Sequence, residues 1–65
     1  GPEHLEQLDP QLAAAVTVRV TPASAIVSTT DTHAWGAIER IAHRSGATRV
    51  ETRTVGDTFT ITARF

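Results

Sequence analysis

Histidines are the side chains in this sequence best suited to bind a metal or to move a proton near neutral pH, and there are three: His4, His33 and His43. None has ligand spacing from another histidine or a carboxylate, and no cysteine is present to complete a zinc site. His33 and His43 lie ten residues apart on one predicted helix, too far along its axis to share an ion. We therefore expect solvated histidines, no metal and no cofactor.

Residues for nucleophilic catalysis are also scattered. Ser24, Ser28 and Ser45 lack the glycine-flanked turn that exposes a serine nucleophile in hydrolases. Asp31 and His33 are close in sequence, but a carboxylate just before a helix is more simply explained as its N-terminal cap. No glycine-rich phosphate loop is present. The pattern predicts a domain without enzymatic activity.

Arginines provide the remaining chemistry, because all six basic residues are arginine. Four of them fall in predicted strands: Arg19, Arg49, Arg53 and Arg64. A sheet that binds RNA usually presents aromatic side chains beside its basic residues. Here Trp35, Phe59 and Phe65 fit the buried side better, and Glu51 lies among the arginines. A solvated face is favoured over an RNA-binding one.

One long helix organises the predicted elements. Residues 33–45 place five apolar side chains at helical spacing: Ala34, Ala37, Ile38, Ile41 and Ala42. Asp31 or Thr32 can cap its first turn, and Gly46 suits a left-handed C-terminal cap. Trp35 sits beside the apolar stripe, and we favour a core anchor over a partner contact for it.

Alternating sequence on both sides of this helix predicts four strands, over residues 16–21, 25–30, 48–55 and 58–65. Gly56-Asp57 predicts a two-residue hairpin turn with glycine first. A short first helix is expected around 5–15, broken near Pro10, with Asp9 as its cap and Pro10 in its first turn. Residues 1–2 look like an expression-tag scar, 3–9 are expected to be linker and helix start, and 10–65 a single domain.

The resulting order predicts an α+β fold, a circularly permuted ferredoxin-like αββαββ sandwich. It has a four-stranded antiparallel sheet with two helices on one face. The more apolar strands 25–30 and 58–65 should be central, and 16–21 and 48–55 should be edges. The core should bury Ile38, Ile41, Phe59 and Ile61. With 65 residues and a net charge of −1, the chain fits one small domain and contains no apolar run of the ~20 residues that span a bilayer.

One pattern extends over the helix and the two closing strands: Trp35, Ile38, Ile41, Gly46, Val50 and the alternating Phe59, Ile61 and Ala63. In this pattern residues 17–65 resemble the C-terminal end of the inner-membrane assembly-platform proteins of type II secretion and type IV pilus systems, above all the M-type component and its pilus relative. The turn that joins the two closing strands is tighter here than we expect for that family. A related ferredoxin-like periplasmic domain is therefore the alternative assignment.

The resemblance implies a non-enzymatic scaffold: the periplasmic domain of a bacterial inner-membrane protein, anchored by a segment outside this sequence. Its partners would be itself, as a weak homodimer, and a companion platform protein of similar fold, but not nucleic acid. The residues themselves favour the 16–21 edge for pairing, because it carries three valines and one arginine, whereas the 48–55 edge carries three charged residues. The candidate interface residues lie on that edge, at Trp35 and in the first helix: Val16, Val18, Arg19, Val20, Trp35, Leu8 and Leu12. The alternatives are a small regulatory ligand-binding domain and an RNA-binding sheet. The first would need a pocket at a strand–helix junction, for instance near Asp31 or near Gly46.

Overall fold

A four-stranded antiparallel sheet covered on one face by helical segments forms the α+β structure of this chain, described for residues 1–65 by a computed structural model. The strands are β1 (Thr17–Thr21), β2 (Ser24–Thr29), β3 (Arg49–Val55) and β4 (Thr58–Arg64). The helices are α1 (Pro10–Ala14) and α2 (Thr32–Arg44), and a 3₁₀ turn over Pro2–Leu5 precedes them. The predicted fold class is confirmed, while the circular permutation stays a prediction.

The strand order β1-β2-β4-β3 puts the two most apolar strands in the centre, as their composition predicted. One row of the sheet runs Val18, Val27, Ile61 and Thr52. Because neighbouring residues of a strand point to opposite faces, this row and its alternate neighbours form the inner face under α2. The opposite face has no covering layer and is called the open face below.

The core lies between α2, the inner face and the N-terminal segment. Ile38 is 0% exposed and Ile61 is 1% exposed, as predicted, and the rest of the core is Leu5, Ala25, Val27, Ala42 and Ala63. Ile41 and Phe59 were also predicted to be buried between helix and sheet, but both are only half-buried. Ile41 packs against the core from the flank of α2 that faces the N-terminal segment, where it lines a cavity with Leu8. Phe59 lies under the other flank, against Trp35.

Both ends of α2 are formed as predicted. The Asp31 carboxylate accepts hydrogen bonds from the amides of His33 (2.8 Å) and Ala34 (3.4 Å). Gly46 has a φ of +87°, which an L side chain rarely adopts. The amide of Ala47 then donates to the Ala42 carbonyl at 3.2 Å, closing a Schellman motif. The helix therefore has defined ends, and between them it packs on β2 and β4.

The N-terminal segment differs from the expected linker and long broken helix. Asp9 does cap α1, accepting from the Leu12 amide at 2.9 Å, and Pro10 begins it, but α1 is only five residues long. Leu5 belongs to the 3₁₀ turn and is 0% exposed in the core, although residues 3–9 were expected to be linker and helix start. A helix as short as α1 cannot cover the sheet beside β1, and the 3₁₀ turn supplies that cover.

A buried hydroxyl joins the N-terminal segment to the sheet. Thr29, 5% exposed, donates to the Ala15 carbonyl at 2.7 Å and accepts from the Asp31 amide at 3.0 Å. It therefore links the end of α1, the end of β2 and the start of α2. Because both partners are backbone groups, the contact fixes the chain path rather than a side-chain site.

Candidate interaction surfaces

The outer side of β1 is a free sheet edge, because β1 pairs only with β2. Its inward residues Val18 and Val20 are half-buried, and its outward residues are exposed. Arg19 is the only charged side chain in the strand, and no proline interrupts it. Edges of this kind are templates for strand addition, since charges and prolines are the usual protection.

An apolar groove runs beside this edge. A cavity of ≈ 260 Å³ is lined by Leu5, Glu6, Leu8, Ala13, Val16 and Val18. The structure thus brings together three of the predicted interface residues, Leu8, Val16 and Val18. The free side of β1 and this groove together are called the β1 edge below.

The other predicted interface residues lie elsewhere. Val20 is on the inner face opposite Ala25, at the far end of β1, and Arg19 points to the open face opposite Ile26. Leu12 lines a separate cavity of ≈ 240 Å³ between α1 and the first turns of α2, together with Asp31 and Ala37. The seven candidates therefore do not form one continuous site.

Trp35 is on the opposite flank of α2 from the N-terminal segment. Its indole stacks on Phe59 of β4, with ring centroids 4.7 Å apart and planes 6° from parallel. The residue is half-buried, and its Nε1 is buried without an acceptor. This geometry is that of an anchor at the border of the core, and it separates Trp35 from the first helix.

The β3 edge is built differently. Every residue of β3 except Val50 is exposed, including Thr52 and Thr54 on the inner face. Its outward residues include Arg49, Glu51 and Arg53, so charges flank this edge. The composition that predicted an edge strand here also protects that edge from pairing with another chain.

The open face collects the strand arginines. Arg19, Arg49, Arg53 and Arg64 all alternate with inward residues and point to this side. Glu51 Oε1 forms ion pairs with Arg49 and Arg64, 3.1 Å and 3.6 Å from their Nε atoms, whereas Arg19 and Arg53 have no carboxylate partner. Phe59 and Phe65 lie on the inner side of the sheet, as predicted, so the open face has no aromatic residue.

Ile26 is the residue of this face that sequence reasoning missed. Strand 25–30 was predicted to be central because of its apolar character, and of its adjacent residues Ile26 and Val27 only Val27 is covered. Ile26 is 36% exposed, between Arg19 on β1 and Thr62 on β4. The signal was present in the alternation, since a strand with one covered face exposes one residue of each apolar pair.

The histidines and acidic residues do not converge. No three histidine or carboxylate side chains are grouped to hold a metal ion. Asp31 is engaged as a helix cap, and the Ser45 hydroxyl donates to the Ile41 carbonyl at 2.7 Å. Asp31 and Gly46 lie at opposite ends of α2, roughly 20 Å apart along its axis. They therefore do not line one pocket. The junction at Asp31 does border the ≈ 240 Å³ cavity beside Leu12, and the ligand-binding alternative stays a prediction.

No family model, no curated protein and no solved structure matches this chain. The likeness to assembly-platform proteins accordingly stays a prediction. None of the helices combines the length and the apolar character that crossing a membrane requires.

Proposed function

We propose that this domain is a non-enzymatic protein–protein interaction module that pairs with a second copy of itself through the β1 edge. In the proposed setting it is the periplasmic part of an inner-membrane secretion or pilus assembly-platform protein, with a companion protein of similar fold as its other partner. The setting rests on the sequence resemblance alone. The pairing rests on the structure of the β1 edge.

The observation that carries the pairing is an unprotected strand next to an apolar groove. Leu8, Val16 and Val18 are half-buried within one chain and line the groove together. A second β1 aligned antiparallel would continue the sheet and cover these side chains. A two-fold axis satisfies both copies with the same contacts, as in most small homodimers.

The proposed dimer is weak. The edge presents only the five residues of β1, and its interface would be small compared with those of stable dimers. We expect a dimer at high concentration that dissociates on dilution. Such an affinity suits a module held near its partners by other parts of a larger assembly.

Sedimentation over a wide concentration range tests the pairing. Placing lysines on the exposed positions of β1, in a Thr17→Lys/Thr21→Lys variant, should raise the dimer dissociation constant about tenfold, because like charges oppose each other across the new ladder. The matched control, Thr52→Lys/Thr54→Lys on β3, adds the same charge at exposed positions and should leave dimerisation less affected. Equal weakening by both variants would indicate general repulsion and contradict pairing through β1.

The rival functions are tested separately. A thermal-shift screen with metabolites would support the ligand-binding alternative if a compound raised the melting temperature in proportion to its concentration. An RNA titration at several salt concentrations would support the nucleic-acid alternative. Either result, with a strict monomer in sedimentation, would replace the proposed function.

A further inference from the structure

The charges of this molecule are divided between its two sides. Four arginines and one glutamate give the open face a net charge of +3, whereas the other two arginines and six carboxylates give the rest of the chain −4. A net charge of −1 for the whole chain conceals this separation. The open face is therefore a basic surface on a weakly acidic protein.

The two arginines without ion-pair partners lie on either side of a strip of short side chains on the open face. Arg19 is on β1 and Arg53 is on β3, the two edges of the sheet. They are about 14 Å apart across the strands and about 7 Å apart along them, because Glu51 rather than Arg53 lies in the row of Arg19. Between them, β2 and β4 present Ile26, Ser28, Thr60 and Thr62. These side chains are short, and the strip is about as wide as an α-helix with its side chains, about 10–12 Å.

Ile26 gives this strip an apolar centre. It is one of two large hydrophobic residues exposed in the chain, and it is surrounded by hydroxyl and guanidinium groups. An apolar centre with a polar rim and enriched arginine is the composition of protein interfaces. The Glu51 carboxylate holds Arg49 and Arg64 at one end and leaves the flanking arginines available.

We propose that the open face binds an acidic amphipathic helix of a partner protein, with apolar side chains on Ile26 and carboxylates on Arg19 and Arg53. This inference rests on the proposed interaction role but not on pairing through β1. A second copy is disfavoured as the occupant of this face, because two open faces would meet with the same positive charge. RNA is disfavoured because the face offers no aromatic side chain for stacking.

The test uses a synthetic helical peptide of about 20 residues, with a leucine stripe flanked by glutamates, titrated into the ¹⁵N-labelled domain. We expect saturable amide shifts centred on Ile26 and reaching Arg19 and Arg53, with affinity falling as salt rises. The Arg19→Glu/Arg53→Glu variant should weaken binding about tenfold or more, and it breaks no ion pair of the free domain. Ile26→Ser should also weaken it, which a purely electrostatic contact would not show.

The matched control is Arg40→Glu/Arg44→Glu, the same charge change at exposed positions of α2. It should bind the peptide nearly as well as the original chain, and an equal loss would overturn the assignment to the open face. If a polyuridine RNA shifted the same amides and bound more tightly than the peptide, the open face would be a nucleic-acid site. If these amides shifted with the concentration of the chain alone, the open face would be a contact between two copies. Absence of peptide binding would sink this inference while leaving the sedimentation test of the β1 edge unaffected.

Discussion

The strands β1 and β3 occupy equivalent positions at the two edges of one sheet, yet they are made from different residues. On the inner face β1 carries valines partly covered by the N-terminal segment, whereas β3 carries exposed threonines. On the open face β1 has a single arginine, whereas β3 has Arg49, Glu51 and Arg53. A chain this small has apolar cover for one edge only, and polar residues let the other edge remain in water. The edge with apolar residues and little charge is then the one able to accept another chain.

The largest expected effect tests where the core ends along one row of the sheet. Ile61→Ala should lower the free energy of unfolding by ~2–5 kcal/mol, because a fully buried side chain under Ile38 is lost. In the same row, Thr52→Ala on β3 should change it by less than about 0.5 kcal/mol, since Thr52 is exposed. Urea denaturation measures both. An unchanged midpoint for Ile61→Ala would refute the assignment of the inner face.

Next is the cover over β1. Leu5→Ala should cost about 2–3 kcal/mol, toward the low end for a buried leucine because a terminal segment can detach locally. Leu8→Ala, at a half-buried position of the same segment, should cost less. Thermal unfolding of the two variants compares them. If Leu5→Ala left the stability unchanged, residues 3–9 would be the linker that the sequence suggested. The N-terminal segment would then not cover β1, and the two edges would not differ in this respect.

Leu5 also shows where sequence reasoning ended. The long helix, the four strands and the central positions of β2 and β4 followed from periodicity, and the caps at Asp9 and Asp31 followed from residue type. The packing of Leu5 did not, because the spacing of Leu5, Leu8 and Leu12 indicated a helix broken near Pro10, whereas Leu5 lies in a 3₁₀ turn. Its burial depends on the uncovered area beside β1, which exists only once the sheet is formed.

The candidate surfaces were predictable to a similar degree. Alternation placed the arginines on the open face and identified the less charged edge. It did not separate Trp35 from the first helix, since the side of α2 that meets Phe59 depends on how the helix lies across the sheet. The groove at Leu8, Val16 and Val18 joins distant segments, and no local pattern announces it.

A smaller effect is expected at the junction that anchors the start of β1. Thr29→Val should cost about 1–2 kcal/mol, because the Ala15 carbonyl and the Asp31 amide each lose a partner in a buried place. Ser28→Ala, one residue earlier on the open face, should cost no more than about 0.5 kcal/mol, because the Ser28 hydroxyl has only a long 3.5 Å contact with that of Thr60. Chemical denaturation of this pair would show equal stabilities if the Thr29 hydroxyl did not support the β1 side.

Hydrogen exchange of the backbone amides of β1 and β3, measured at low and at millimolar concentration, tests most directly whether the two edges differ in association. Pairing through the β1 edge predicts that the backbone N–H groups of Thr17–Thr21 that point away from β2 become protected as the concentration rises. The corresponding N–H groups at the free edge of Arg49–Val55 should exchange at an unchanged rate. Equal lack of protection at both edges, in a chain that stays monomeric at millimolar concentration, would contradict self-pairing and leave a different protein as the only partner.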